Sequence, residues 1–201
     1  MRLLHIDSSL LGDKSISREL TAAIVARERV LHPGLEVIYH DLVAAPIQHL
    51  TPAHVATRFG NPPPQDPVVL ADIAAGERYI DDLFAADLIV IGVPMYNLSL
   101  PTQLKAWFDR VSVVGKTFNF DDSGVPVGLL PAGKKTFFVT TSGGMHSEGP
   151  LSPFLDYQET IVRTLLNFLG LSDIKVFRAE ATPTRPENIA AAKTQIAALA
   201  P

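Results

Sequence analysis

Short apolar runs alternate along the chain with longer stretches in which apolar residues recur every three or four positions. Arg2–Ile6, Leu35–His40, Asp87–Val93, Lys135–Thr141 and Ile174–Arg178 read as strands. Ser15–Leu31, Asp66–Ala85, Pro101–Val113, Pro153–Leu169 and Asn188–Leu199 read as helices. In the first helix Ile16, Leu20, Ala23, Ile24, Val30 and Leu31 fall near helical spacing, and His32-Pro33-Gly34 stops it. Asp87–Val93, DLIVIGV, is apolar except at Asp87 and Gly92, as a strand buried on both faces would be. Lys116–Phe120 reads as a short extended piece and Asp121–Gly124 as a turn. Strands separated by helices call for a parallel sheet with right-handed crossovers, so the expected fold class is α/β, doubly wound and five-stranded. No repeat or linker divides residues 1–201, and one domain is expected. The one long connection, 42–65, holds Pro46, Pro52, Pro62, Pro63 and Pro64. A loop of that length inside a compact domain carries function or some structure of its own.

Composition narrows the class. A chain of 201 residues, 47% hydrophobic and 19% charged, can bury a sizeable core. The net charge of −4 offers no basic field to nucleic acid or an anionic membrane. Cysteine is absent, which removes disulfides, thiolate chemistry and Cys-held metal and fits a reducing, cytoplasmic location. No basic segment leads into an apolar run at the start, and no apolar stretch reaches about 18 residues, so neither a secretory signal nor membrane insertion is expected. His5, His32, His40, His49, His54 and His146 show no H-E-x-x-H or comparable ligand spacing, so no metal site is expected.

In open parallel sheets, ligands sit at the carboxyl ends of the strands. Three such ends carry candidate chemistry. The first, DSSLLGDKSIS over residues 7–17, places Ser8, Ser9, Ser15 and Ser17 where a strand hands over to a helix. A helix start already favours an anion through its free N–H groups and dipole, and small hydroxyls add donors without bulk. The plainer reading is that Ser15 or Ser17 only caps the helix. G-x-G-x-x-G is missing after the first strand. Gly128–Lys134, GLLPAGK, imitates a phosphate loop, but Lys135 stands where Ser or Thr is needed and the segment precedes a strand. It reads as a turn.

The second end, PMYNLSLPTQLKAWFD, starts at Pro94, which forces extended geometry on its neighbour. Met95 and Tyr96 suit the face or edge of an aromatic ring system, and Asn97 offers both a donor and an acceptor. The third, TTSGGMHSEGP, has Gly143-Gly144, which lets backbone approach a ligand closely. His146 reads as a general acid, a ring-stacking wall or an ordinary surface histidine.

With these three segments in view, the chain resembles the FMN-dependent NADH azoreductases, which are flavodoxin-like quinone reductases. The likeness spans nearly the whole sequence, and PMYNLSLPTQLKAWFD carries it most specifically. The resemblance implies a flavodoxin-like sheet with strand order 2-1-3-4-5 and helices on both faces. It implies one FMN-binding domain with tightly bound FMN and NADH as co-substrate. Ser9, Ser15 and Ser17, with the backbone of Ile16, match the FMN phosphate site. Pro94, Met95, Tyr96, Asn97 and Leu98 match the segment along the isoalloxazine, and Thr141, Ser142, Gly143 and Gly144 match the segment at its other end. His146 matches a histidine near the flavin face, and His146 and Asn97 are the candidate catalytic residues. Leu98 stands where an aromatic is usual and Ser142 where arginine is usual.

The implied activity is ping-pong, two-electron hydride transfer from NADH via FMN to quinones or azo compounds. The implied assembly is a homodimer with active sites between subunits, to which Phe118 or Phe120 reaches across; the alternative places both in their own subunit's core. Trp107 reads as core or dimer contact, Lys105 and Asp109 as an ion pair, and Arg58 as a candidate partner for a 2′-phosphate. An FMN electron carrier and a non-catalytic binding protein of the same fold are the competing classes.

Overall fold

The computed structural model describes residues 1–62, 64–148 and 157–200. Its main sheet is parallel and five-stranded: β1 (Arg2–Asp7), β2 (Glu36–Asp41), β3 (Leu88–Pro94), β6 (Lys135–Thr141) and β7 (Asp173–Ala179). The spatial order is β2-β1-β3-β6-β7, the expected 2-1-3-4-5 counted over the sheet's own strands. Every residue of β3 is buried, which explains its unbroken apolar run. Two short strands outside this sheet, β4 (Phe118–Phe120) and β5 (Pro126–Gly128), form an antiparallel hairpin. Only β4 was anticipated; β5 is too short and too proline- and glycine-rich to show a period.

Helices cover both faces. Buried residues of α1 (Ile16–Leu31) and α6 (Glu187–Ala197) pack with Leu3, Leu88, Val90 and Val139. Those of α3 (Pro67–Ala85), α4 (Thr102–Val111) and α5 (Tyr157–Phe168) pack with Leu4, Ile6, Ile89 and Ile91. The alternation along each strand therefore sorts two apolar layers onto opposite sides. Ser15 caps α1 by accepting the Arg18 N–H, and Asp66 caps α3 by accepting that of Val68. The expected helix Pro153–Leu169 appears from Tyr157 onward; its first four positions lie outside the described residues, as do Pro63 of the proline-rich connection and Gly149-Pro150. The phosphate-loop look-alike ends in Lys134, whose buried ammonium donates to the carbonyls of Phe84 and Ala86 and so closes α3. Burial lowers the pKa of that ammonium below its ordinary value.

The proline-rich connection contains a further helix, α2 (Pro52–Arg58). Its anchor is long-range. His54 Nδ1 accepts the Thr51 N–H at 3.1 Å, so Nε2 carries the proton that bonds Asp72 at 2.9 Å. Arg110, also buried, pairs with the same carboxylate and donates to the Asp72 carbonyl at 2.8 Å. Arg58 donates to the carbonyls of Asp109 and Arg110 at the end of α4, both at 3.0 Å.

Burial first, and the Arg110 charge second, hold the His54 pKa below its ordinary value. The unfolded chain then binds this proton more readily than the folded one, so the docking of α2 weakens as pH falls below about 6.5. Asp72, whose pKa is lowered by its hydrogen bonds and Arg110 despite burial, loses its contribution only at more acidic pH. Thermal unfolding between pH 7.5 and 5.5 should therefore show a steeper fall in Tm for the parent chain than for His54→Leu. Parallel pH slopes would refute the assignment.

Candidate active site

All five main-sheet strands run parallel, which places the segments after Asp7, Pro94, Thr141 and Ala179 along one edge. At the first, the four serines divide their work. Ser8 Oγ donates to the Gly92 carbonyl at 2.7 Å and ties β1 to β3. Ser9, Ser15 and Ser17 are buried beside the start of α1. Ser15 Oγ lies 3.0 Å from Ser17 Oγ while it accepts the Arg18 N–H, and Ser9 Oγ accepts the Leu11 N–H. The geometry of a helix leaves the first-turn N–H groups of Ile16 and Ser17 without intrahelical partners.

The second segment is joined to the first. Tyr96 OH lies 3.3 Å from Ser9 Oγ and accepts the Leu10 N–H at 3.0 Å. The Tyr96 hydroxyl is thus a fastener between segments as well as the tip of a flat ring. Tyr96 and Ser99 exchange backbone hydrogen bonds at 3.0 and 3.1 Å around a two-residue turn. Both central residues have positive φ, 50° at Asn97 and 65° at Leu98. Asparagine tolerates that region, whereas a leucine there costs roughly 1–2 kcal/mol. Without a glycine, the sequence held no sign of a turn of this hand. Asn97 and Leu98 are exposed.

Met95 N–H donates to the Thr141 carbonyl at 2.7 Å and links the second segment to the third. Ser142 Oγ turns inward to the Gly144 carbonyl at 2.7 Å. A Cβ on Gly143 would meet nothing within 4 Å, so open space lies over this backbone. A Cβ on Gly144 would come within 3.1 Å of His146 Nε2, which sets the imidazole directly against that glycine. His146 Nδ1 is buried and has no hydrogen-bond partner among the described residues.

Three residues outside the expected set hold this edge together. Glu180, just past β7, accepts the N–H groups of His146 and Ser147 at 3.1 and 3.0 Å and bonds the Ser147 hydroxyl. Gln158 on α5 donates to the Val93 carbonyl at 2.7 Å. Arg18 donates to the Ser9 carbonyl at 2.9 Å. A carboxylate directly after the last strand was the only sequence signal for Glu180.

Other expected contacts resolve individually. Trp107 is fully buried against Phe108, with ring centroids 5.0 Å apart. Lys105 and Asp109 form an exposed pair at 2.6 Å, worth a few tenths of a kcal/mol. Phe118 packs on Phe168 at 4.2 Å, while Phe120 remains 54% exposed. The Arg58 guanidinium is engaged by the end of α4. Among the described residues no group of three or more His, Asp or Glu side chains could hold a metal ion, and no helix is long and apolar enough to cross a membrane.

A family model described as "Flavodoxin-like fold" matches residues 1–200. The chain belongs to this flavodoxin-like family. An FMN-dependent NADH:quinone oxidoreductase of Chromobacterium violaceum is 44% identical over 204 residues, covering 100% of both chains. One from Bradyrhizobium sp. strain BTAi1 is 46% identical over 204 residues, again covering 100% of both. Among solved structures, an azoreductase from Bacillus anthracis strain Sterne superposes with a TM-score of 0.87 at 24% identity, covering 98% of this chain and 97% of that one; this speaks to the fold. In this flavodoxin-like chain all three serine-, Pro-Met-Tyr- and glycine-bearing segments fall inside the matched region, at the edge where open parallel sheets bind ligands.

Proposed function

We propose that this chain is an FMN-dependent NADH:quinone oxidoreductase that also reduces azo compounds, built as one FMN-binding domain over 1–201. The observation that carries the reading is full-length identity of 44 and 46% to relatives bearing that name. The donor set suits a phosphate group: the Ser15 and Ser17 hydroxyls meet at the start of a sixteen-residue helix, Ser9 is buried on the segment leading into it, and among the described residues no carboxylate bonds these three hydroxyls. The open backbone at Gly143 and the unpartnered Nδ1 of His146 suit a flat polar ring.

Ser9, Ser15 and Ser17, with the Ile16 N–H, would hold the FMN phosphate. Pro94, Met95, Tyr96, Asn97 and Leu98 would hold one side of the ring system, and Thr141, Ser142, Gly143 and Gly144 the other. Bound FMN would supply the two-electron redox chemistry, taking reducing equivalents from NADH and delivering them to a quinone or azo compound. Asn97 offers its amide to an incoming polar group, and His146 can hold or pass a proton at Nδ1. The work of the chain is binding, orienting and proton handling. Exposed Leu10, Leu11, Leu98 and Phe120 support a homodimer that closes the site between subunits. A protein without cysteine suits the cytoplasm.

Purified protein loaded with FMN should lose its visible flavin absorption on adding NADH under argon and regain it on adding a simple quinone. Failure to bind FMN would refute the reading. Reoxidation only through an added carrier protein would move the chain to the electron carriers.

A further inference from the structure

Arg18, the third residue of α1, bonds the backbone of the serine segment, and its guanidinium hydrogen bonds go to the Ser9 carbonyl, Asp41 and Tyr39. Nη1 and Nη2 form a fork on Asp41 at 2.7 and 2.8 Å, and Nη2 and Nε both reach the Ser9 carbonyl, at 2.9 and 3.3 Å. Asp41 ends β2 and is itself fixed, since its Oδ1 accepts the N–H groups of Val43 and Ala44 at 2.9 and 3.3 Å. Nη1 also meets Tyr39 OH at 3.1 Å and lies 3.9 Å from Asp7. Tyr39 in turn donates to Asp7 at 3.1 Å, and Thr21 donates to the other oxygen of that carboxylate at 2.9 Å. The Asp41 carboxyl is pulled down to about 2, first by the Arg18 hydrogen bonds.

Two carboxylates therefore face one guanidinium, so little positive charge is left over for an anion. What remains is geometry. A bidentate ion pair with two restrained partners fixes a carbonyl far better than a single flexible bond does. The Ser9 carbonyl belongs to the peptide that continues into Leu10, whose N–H bonds Tyr96 OH. Fixing that peptide fixes the Ser9 side chain, one of the three hydroxyls read as the phosphate site.

We infer that Arg18 is a positioning residue: locked by Asp41, it holds the Ser9 peptide so that the serine segment is preset for the phosphate of its ligand. This rests on reading Ser9, Ser15 and Ser17 as the phosphate site. A rival account, in which Arg18 contributes charge, makes the opposite prediction for Asp41. Removing the Asp41 charge would free the guanidinium and tighten the binding of a dianion if charge mattered. It loosens binding if position matters.

The test compares FMN with riboflavin, which has the same ring and no phosphate. Both are titrated by fluorescence quenching into flavin-free full chain, as parent, Arg18→Lys and Asp41→Asn. Loss of the fork should weaken FMN about tenfold in each variant, as expected for a charge-assisted hydrogen bond, and leave riboflavin unchanged. Equal or tighter FMN binding by Asp41→Asn would overturn the proposal. Equal losses for both ligands would also overturn it, as a general loosening of the fold. A parent chain that binds FMN no better than riboflavin would instead sink the phosphate-site reading beneath it.

Discussion

Ser15→Asp leaves α1 folded and removes FMN retention. Aspartate is as good a helix cap as serine, and its charge is favourable at a helix start, so the helix itself loses nothing. For a bound phosphate the same change is severe. Ser15 is buried and sits 3.0 Å from the Ser17 hydroxyl, so a new carboxylate has little water to screen it. Two like unit charges at about 4 Å near a protein surface repel by about 4 kcal/mol, and a phosphate carries close to two. FMN affinity should fall at least about a hundredfold, which is about 2.7 kcal/mol. Far-ultraviolet circular dichroism should match the parent, and riboflavin affinity should hold. FMN retained at parental affinity would show that these hydroxyls only cap the helix.

Gly128→Ala should be the most damaging alanine substitution among the described glycines. A Cβ at Gly128 would lie 2.0 Å from the backbone nitrogen of Gly170 and 2.3 Å from the carbonyl carbon of Leu169. No side chain can swing aside to relieve this, because both atoms belong to the backbone that ends α5. Gly170 has a φ of +97° and its N–H bonds the Asn167 carbonyl, so it is itself committed. The β4–β5 hairpin would have to separate from the body along the line that also holds Phe118 on Phe168. Overpacking of this kind costs about 3 kcal/mol or more, and in a chain of this size lowers Tm by roughly 6–12 °C. Gly124→Ala is the matched control. Gly124 has a φ of +78° with nothing near its Cβ position, so alanine there meets only backbone strain. Equal Tm changes for the two variants would refute the argument.

The sheet was legible because its strands carry their burial in their composition. DLIVIGV admits no polar face, and the strand found there, Leu88–Pro94, is buried throughout. Lys135–Thr141 was bounded by a lysine-rich turn and a glycine pair and has those limits. The three ligand segments were legible because they sit where strands stop and carry unusual residue types. What stayed hidden depends on partners far away in sequence. The cap of α2 works through His54 to Asp72 and Arg110, so its seven residues looked like proline-rich loop. The left-handed turn at Asn97-Leu98 is held by its flanking backbone and by Tyr96 reaching Leu10, with no glycine to announce it. The sequence carried no sign of Arg18's pairing with Asp41, which lies 23 residues away.

Asp41 closes the outermost strand on one flank of the sheet, and Glu180 follows the outermost strand on the other. Each reaches inward and braces the segment leaving its immediate neighbour, through Arg18 on one side and through the amides of His146 and Ser147 on the other. The margins thus work as bookends, with the interchangeable parts shelved between them. An engineer transplanting a specificity loop from a cousin into this scaffold would have to carry its bookend along.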